Sequence, residues 1–199
     1  MPDRDRDRTS SEMPGAKPTP CRRARTGAKP RIAAVDPITV STTIARPREE
    51  VFEYLADISN HAEFTDHYLV DWHLTREDSY GTGAGARFRI KAPLSRFAWA
   101  DMTFAEIQPP YRIIERGRGG KYNRIRMLGT YTLSPAPGGT TKVQYTLETL
   151  PVMLSDRLME AVGGRAWTRR KAAKAMRRLR TILEENRGRG RRASVAGRD

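Results

Sequence analysis

Apolar and β-branched residues alternate with polar ones from Ile38 to Ile44, through Val40 and Thr42, which predicts a short strand with one face toward a core. The period then changes. Pro47 opens a segment in which Val51, Phe52 and Leu55 share one helical face, and Glu49 and Glu50 fall in a first turn, where the helix dipole favours negative charge. A second short helical piece is expected over Ile58–Phe64. From there the period is two. Tyr68, Val70, Trp72 and Leu74 alternate, Gly81–Gly85 reads as a turn, and Phe88 and Ile90 alternate with arginines up to Pro93. A longer strand is expected from Arg96 to Ile107 and a short one from Tyr111 to Arg116, closed by a turn at Gly117–Gly120. Strands over Tyr122–Ser134 and Thr141–Thr149 flank a hairpin turn at Pro137-Gly138-Gly139.

The last element is helical. From about Leu154 to Glu185, a stripe of Leu158, Val162, Ala172, Met176, Leu179 and Leu183 recurs at helical spacing, with a kink expected at Gly163-Gly164. A strand, two small helices, a run of strands and a long final helix define an α+β protein. Its expected architecture is a curved antiparallel sheet of about seven strands with the C-terminal helix lying across it.

That pattern resembles the START-like (SRPBCC) superfamily with its helix-grip fold, and within it the bacterial polyketide cyclase/dehydrase and lipid transport type. The resemblance rests on the opening strand and helix Ile44–Asp57, on the strand junction Glu106–Ile113, and on the hairpin Tyr131–Pro135 with Gly139–Val143. It spans about residues 36–186. One departure is Phe64-Thr65-Asp66-His67, where many relatives carry a Trp-Pro pair. The resemblance implies a cavity for a hydrophobic molecule between sheet and helix. It carries over no catalytic motif, because the family shares none.

Composition adds the tails. The 199 residues carry a formal charge of +14. Residues 1–35 hold nine Lys or Arg against four Asp or Glu, and residues 187–199 hold five Arg against one Asp. Neither stretch has an apolar period, so both read as disordered basic tails around one domain at 36–186. Their charge suits nucleic acid or anionic lipid, or a merely solvated tail. Cys21 is the single cysteine, which rules out an intrachain disulfide. With no run of about 20 apolar residues and no export signal, a soluble cytoplasmic protein of bacterial type is expected, peripheral at a membrane if it meets one.

The side chains expected to line the cavity are Phe88, Trp99, Met127, Tyr131 and Tyr145, large groups that serve equally as core. His61, His67 and His73 with Asp66 are spaced wrongly for a metal site, and no metal or cofactor is expected. No nucleophile set stands out, and Gly81–Gly85 leads into a strand, not the helix a phosphate loop requires. Asp101 is the one acid–base candidate. It shares a strand face with Trp99 and Thr103, and whether that face is inward turns on the placing of bulges.

The final helix holds eight Lys or Arg and no acid from Arg165 to Arg180. Arg170, Lys171, Lys174, Arg177 and Arg178 lie opposite the apolar stripe, with Trp167 one turn before them. That face suits an anionic bilayer, less well nucleic acid, or plain solvent. Binding or transfer of a lipid, quinone or polyketide is the leading expectation. A cyclase or dehydrase enzyme and a nucleic-acid or ribosome partner are the alternatives.

Overall fold

The computed structural model describes residues 36–92, 98–150, 163–186 and 192–195. The expected N-terminal tail, the strand start at Arg96–Phe97 and the helix start at Leu154–Val162, with Leu158, lie outside the described residues. β1 (Ile38–Ile44) leads into α1 (Arg48–Ala56), a single 3-10 turn (Ile58–Asn60) and α2 (His61–Thr65). Strands β2 (Leu69–Leu74), β3 (Gly85–Ile90), β4 (Trp99–Gln108), β5 (Arg112–Gly119), β6 (Ile125–Ala136) and β7 (Thr140–Leu150) follow. Then come α3 (Arg165–Glu185) and β8 (Ser194–Val195). One sheet runs in the order β1-β7-β6-β5-β4-β3-β2-β8, antiparallel except for the β2–β8 pair. This is the α+β helix-grip arrangement.

Local chemistry explains the turns between elements. The Pro47 carbonyl accepts from the Val51 amide at 3.2 Å, starting α1. The Asp57 carboxylate caps the next turn by accepting from the Ser59 amide and hydroxyl at 3.0 and 2.7 Å. α3 ends at Asn186, in the left-handed region, whose amide donates to the Ile182 carbonyl. Its last turn is tied to the β1–α1 junction: Arg46 Nε donates to the Leu183 carbonyl at 2.9 Å, and Glu184 accepts from the Ala45 amide at 2.8 Å. Ala172, Ala175, Met176, Leu179 and Ile182 of α3 then join Val51, Phe52, Leu55, Ile113, Leu133 and Val143 in one core.

Two bulges set which face of the sheet is inward. In β2 one extra residue lies opposite β3, between Val70 and His73, where Asp71 takes a φ of 55°. Strict alternation therefore fails. Leu69 packs inward before the bulge and Trp72 and Leu74 after it, while Val70 belongs to neither core cluster. In β4 the register shifts between Phe104 and Glu106. Ala100, Met102 and Phe104 are buried, which turns Trp99, Asp101 and Thr103 to the outer face.

Two further expectations are corrected. β5 does not end at Arg116 but runs on through Gly117 and Gly119. A Cβ on Gly117 would stand 3.1 Å from the Met102 sulfur, and one on Gly119 would stand 3.2 Å from the Ala100 methyl. These glycines are strand positions whose space the neighbouring strand fills. The Arg/Gly-rich end also docks in part. Ala193 is buried and its amide donates to the Ser59 carbonyl. Arg192 reaches Asp57 at 2.8 Å and the Asn60 side-chain oxygen at 2.7 Å. Ser194 and Val195 pair with His73 and Leu74.

Candidate functional site

A cavity lies between the inner face of the sheet and α3. β2 and the residue before it supply Tyr68, Leu69 and Trp72, β3 supplies Phe88 and β4 Met102. α2 supplies His61 and Phe64, and α3 closes the space with Ala172, Ala175 and Met176. The polar part of the wall comes from three neighbouring strands: Glu115 on β5, Tyr131 on β6 and Tyr145 on β7. Empty space here totals about 460 Å³ with its mouth, but only about 40 Å³ admits the centre of a water molecule. The cavity is therefore a narrow crevice, with room for water-sized groups and not for a large molecule.

Glu115 is 3% exposed and His61 is 4% exposed. The carboxyl Oε1 stands 3.4 Å from His61 Nδ1. On its other side the ring contacts the backbone, with Nε2 at 2.9 Å from the Leu55 carbonyl. A carbonyl can only accept, so Nε2 carries the hydrogen and Nδ1 presents a lone pair to Glu115. Burial pushes the Glu115 carboxyl up to about 8, although a hydrogen bond from Tyr145 opposes the rise. Burial likewise pulls His61 down to about 4. Both groups are therefore neutral near pH 7. Tyr145 donates to Glu115, the His61 ring packs beside the carboxyl, and His61 donates to Leu55.

Glycine makes room for these groups. Glu115 lies directly opposite Gly129 in the β5–β6 ladder. A Cβ at Gly129 would meet Glu115 Oε2 at 2.6 Å and the Tyr145 hydroxyl at 3.0 Å. Rings surround the polar groups. His61 packs edge-on to Tyr131 and Phe104 at 5.6 and 5.5 Å, and Tyr131 lies 4.5 Å from Tyr145.

Of the expected lining residues, Phe88, Tyr131 and Tyr145 are in the wall. Met127 packs half-buried beside the Phe88, Ala100 and Met102 cluster without lining the cavity. Trp99 is corrected: it is 40% exposed on the outer face, stacked on His73 at 6.5 Å with the Arg87 guanidinium 5.5 Å from its ring. Asp101 is corrected with it, since the same outer face pairs it with Arg87 at 3.5 Å. Glu115 and His61 were not expected here. The signal available was an acid in phase with Ile113, which the reading of Gly117–Gly120 as a turn places at the end of a short strand and not in the middle of a long one.

The helix cations also divide. Arg170, Lys174 and Arg177 are exposed. Lys171 is half-buried, its ammonium 5.7 Å from the Trp167 ring, and Trp167 packs edge-on to Tyr68 at 6.2 Å. Arg178 is corrected as a surface cation. It pins α3 to α2, with Nη1 at 2.7 Å from Asp66 and Nη2 donating to the Glu63 carbonyl at 3.1 Å. Among the described residues, no three His, Cys, Asp or Glu gather as a metal site, and no helix is long and apolar enough to cross a membrane.

Solved structures share this fold at low identity. KanY is 16% identical with a TM-score of 0.63, the match covering 76% of this chain and 99% of that one. A Thermus thermophilus protein is 13% identical with a TM-score of 0.59, covering 76% and 99%. Truncated norcoclaurine synthase from Thalictrum flavum is 10% identical with a TM-score of 0.59, covering 79% and 99%. No curated protein matches the sequence. The sequence profile described as polyketide cyclase / dehydrase and lipid transport matches residues 37–184, and the chain belongs to that family.

Proposed function

We propose that this protein binds a small, mostly apolar molecule carrying one hydrogen-bonding oxygen, in the cavity between sheet and α3. The observation that carries the reading is the lining itself: apolar and aromatic walls with one polar cluster, Glu115, Tyr131 and Tyr145, set against His61. Such sites fix orientation with a few polar groups and draw affinity from apolar area. Lipid, quinone and polyketide all carry such oxygens. Typical ligand pockets measure about 300–1,000 Å³, so entry requires the walls to part. Met102 and Met176 line the crevice, and unbranched methionine side chains repack at low cost. Native mass spectrometry of the purified full chain tests for a co-purifying molecule. A 1:1 complex with an environment-sensitive dye, displaced by fatty acids or quinones and weakened by Phe88→Ala, supports the reading. Absence of any complex contradicts it.

A second reading concerns the surface. Exposed Arg170, Lys174 and Arg177 on α3, with Trp167 at their edge, favour peripheral contact with an anionic bilayer, each cation contributing on the order of 1 kcal/mol. Reversing those three to Glu should abolish sedimentation with phosphatidylserine vesicles and leave the fold intact. Retardation on nucleic acid without vesicle binding would favour the other polyanion instead.

A further inference from the structure

Among the described residues, no cation answers Glu115. His61 faces it from α2, Tyr68 from the approach to β2, Tyr131 from β6 and Tyr145 from β7, while α3 presents only Ala172, Ala175 and Met176 to the cavity. Burying an ionisable group this way costs stability that an apolar side chain would not. Yet the surroundings are shaped to keep it. Gly129 leaves the volume that the carboxyl and the Tyr145 hydroxyl occupy, and the buried His61 ring stands 3.4 Å from the carboxyl.

We propose that Glu115 is a general base and acid for proton transfer at carbon, acting on an apolar ketone bound in the cavity with its oxygen on the hydroxyl of Tyr131, the second tyrosine in the wall. This rests on the ligand-binding reading above and adds a reaction to it. In the step, the Glu115 carboxylate takes a proton from the carbon next to the carbonyl. The C–H electron pair becomes the carbon–carbon double bond of the enolate, and the carbonyl π pair moves onto oxygen, held by the Tyr131 hydrogen bond. Return of the proton from Glu115 to carbon restores the ketone. No oxidant or co-reactant enters. With the carboxyl titrating at about 8, the base form is a minor species at neutral pH and the major one above pH 8, so the rate rises with pH to a plateau.

The probe is β-tetralone, a small bicyclic ketone, incubated with the full chain in heavy water. Proton NMR follows loss of the hydrogens beside the carbonyl, and saturation transfer reports binding separately. Exchange about 100-fold faster with the wild-type chain than with Glu115→Gln, with both chains binding the probe, supports the proposal. So does a rate that climbs through pH 8. Tyr131→Phe supplies a second variant that keeps the carboxyl and its Tyr145 partner, and it should bind while exchanging more slowly. Equal exchange by wild type and Glu115→Gln, with binding retained, overturns the proposal and leaves the binding reading standing. Absence of binding by the wild-type chain overturns both.

Discussion

Asp101 and Glu115 stand on adjacent strands of one sheet, and the sheet treats them in opposite ways. Asp101 faces outward, 42% exposed at the side chain, with Arg87 as an ion-pair partner at 3.5 Å. That pairing is typical of the outer face, where Arg89 meets Asp71 and Arg112 meets Glu106. Exposed pairs of this kind contribute about 0–1 kcal/mol, because water already solvates both charges. Glu115 faces inward, buried, with an imidazole and tyrosine hydroxyls in place of a cation. The same functional group is inert decoration on one face and an uncompensated acid on the other. Only the second lines the cavity, where it can meet a ligand. Location relative to the pleat, more than residue type, separates a surface charge from candidate chemistry.

The largest effect expected from probing this difference is at Gly129. Gly129→Ala places a methyl 2.6 Å from Glu115 Oε2. It should cost about 1–3 kcal/mol by overpacking and displace the carboxyl, which chemical denaturation will read. Glu115→Gln comes next and shows itself through pH. The native carboxyl titrates near 8, against an ordinary value of 4.5, so the folded state holds a proton the unfolded chain has released, and stability falls as pH rises between those values. His61 works the other way, titrating near 4 against 6.5, so its contribution is lost as pH falls through that window. The two slopes oppose each other below pH 6.5. Above it only Glu115 acts, and wild type should lose about 2 kcal/mol between pH 6.5 and 8. Glu115→Gln should flatten that limb.

Smaller effects mark the outer surfaces. Arg178→Ala should cost about 1 kcal/mol, since it removes the α2–α3 link through Asp66 and the Glu63 carbonyl. Lys174→Ala, one helical turn away and exposed, should change nothing measurable. Asp101→Asn should fall within about 0.5 kcal/mol and leave ligand binding unchanged. A loss of binding in that variant would break the contrast between the two faces.

Much of the architecture was legible in the chain. The period-two runs place all seven antiparallel strands, and the stripe through Ala172, Met176 and Leu179 places the inner face of α3. The cavity wall was legible in part, through Phe88, Tyr131 and Tyr145. What escaped depends on single residues that break the period. The bulges after Val70 and after Phe104 decide the facing of β2 and β4, and neither leaves a mark in composition. Gly117 and Gly119 imitate a turn because glycine serves both turns and crowded strands. Taking them as a turn ends β5 early, at Arg116, and puts Glu115 next to a strand end where a charge draws no notice. The docking of Arg192–Val195 rests on one ion pair and a few backbone bonds, which leave no apolar pattern to read.

The central claim is that the Glu115 carboxyl is buried and neutral at neutral pH. Carbon-13 NMR of a glutamate-labelled chain, with Glu115→Gln to assign its carboxyl resonance, measures this directly. The structure predicts a titration midpoint near 8 for that one resonance. A midpoint near the ordinary carboxyl value of 4.5 would contradict it.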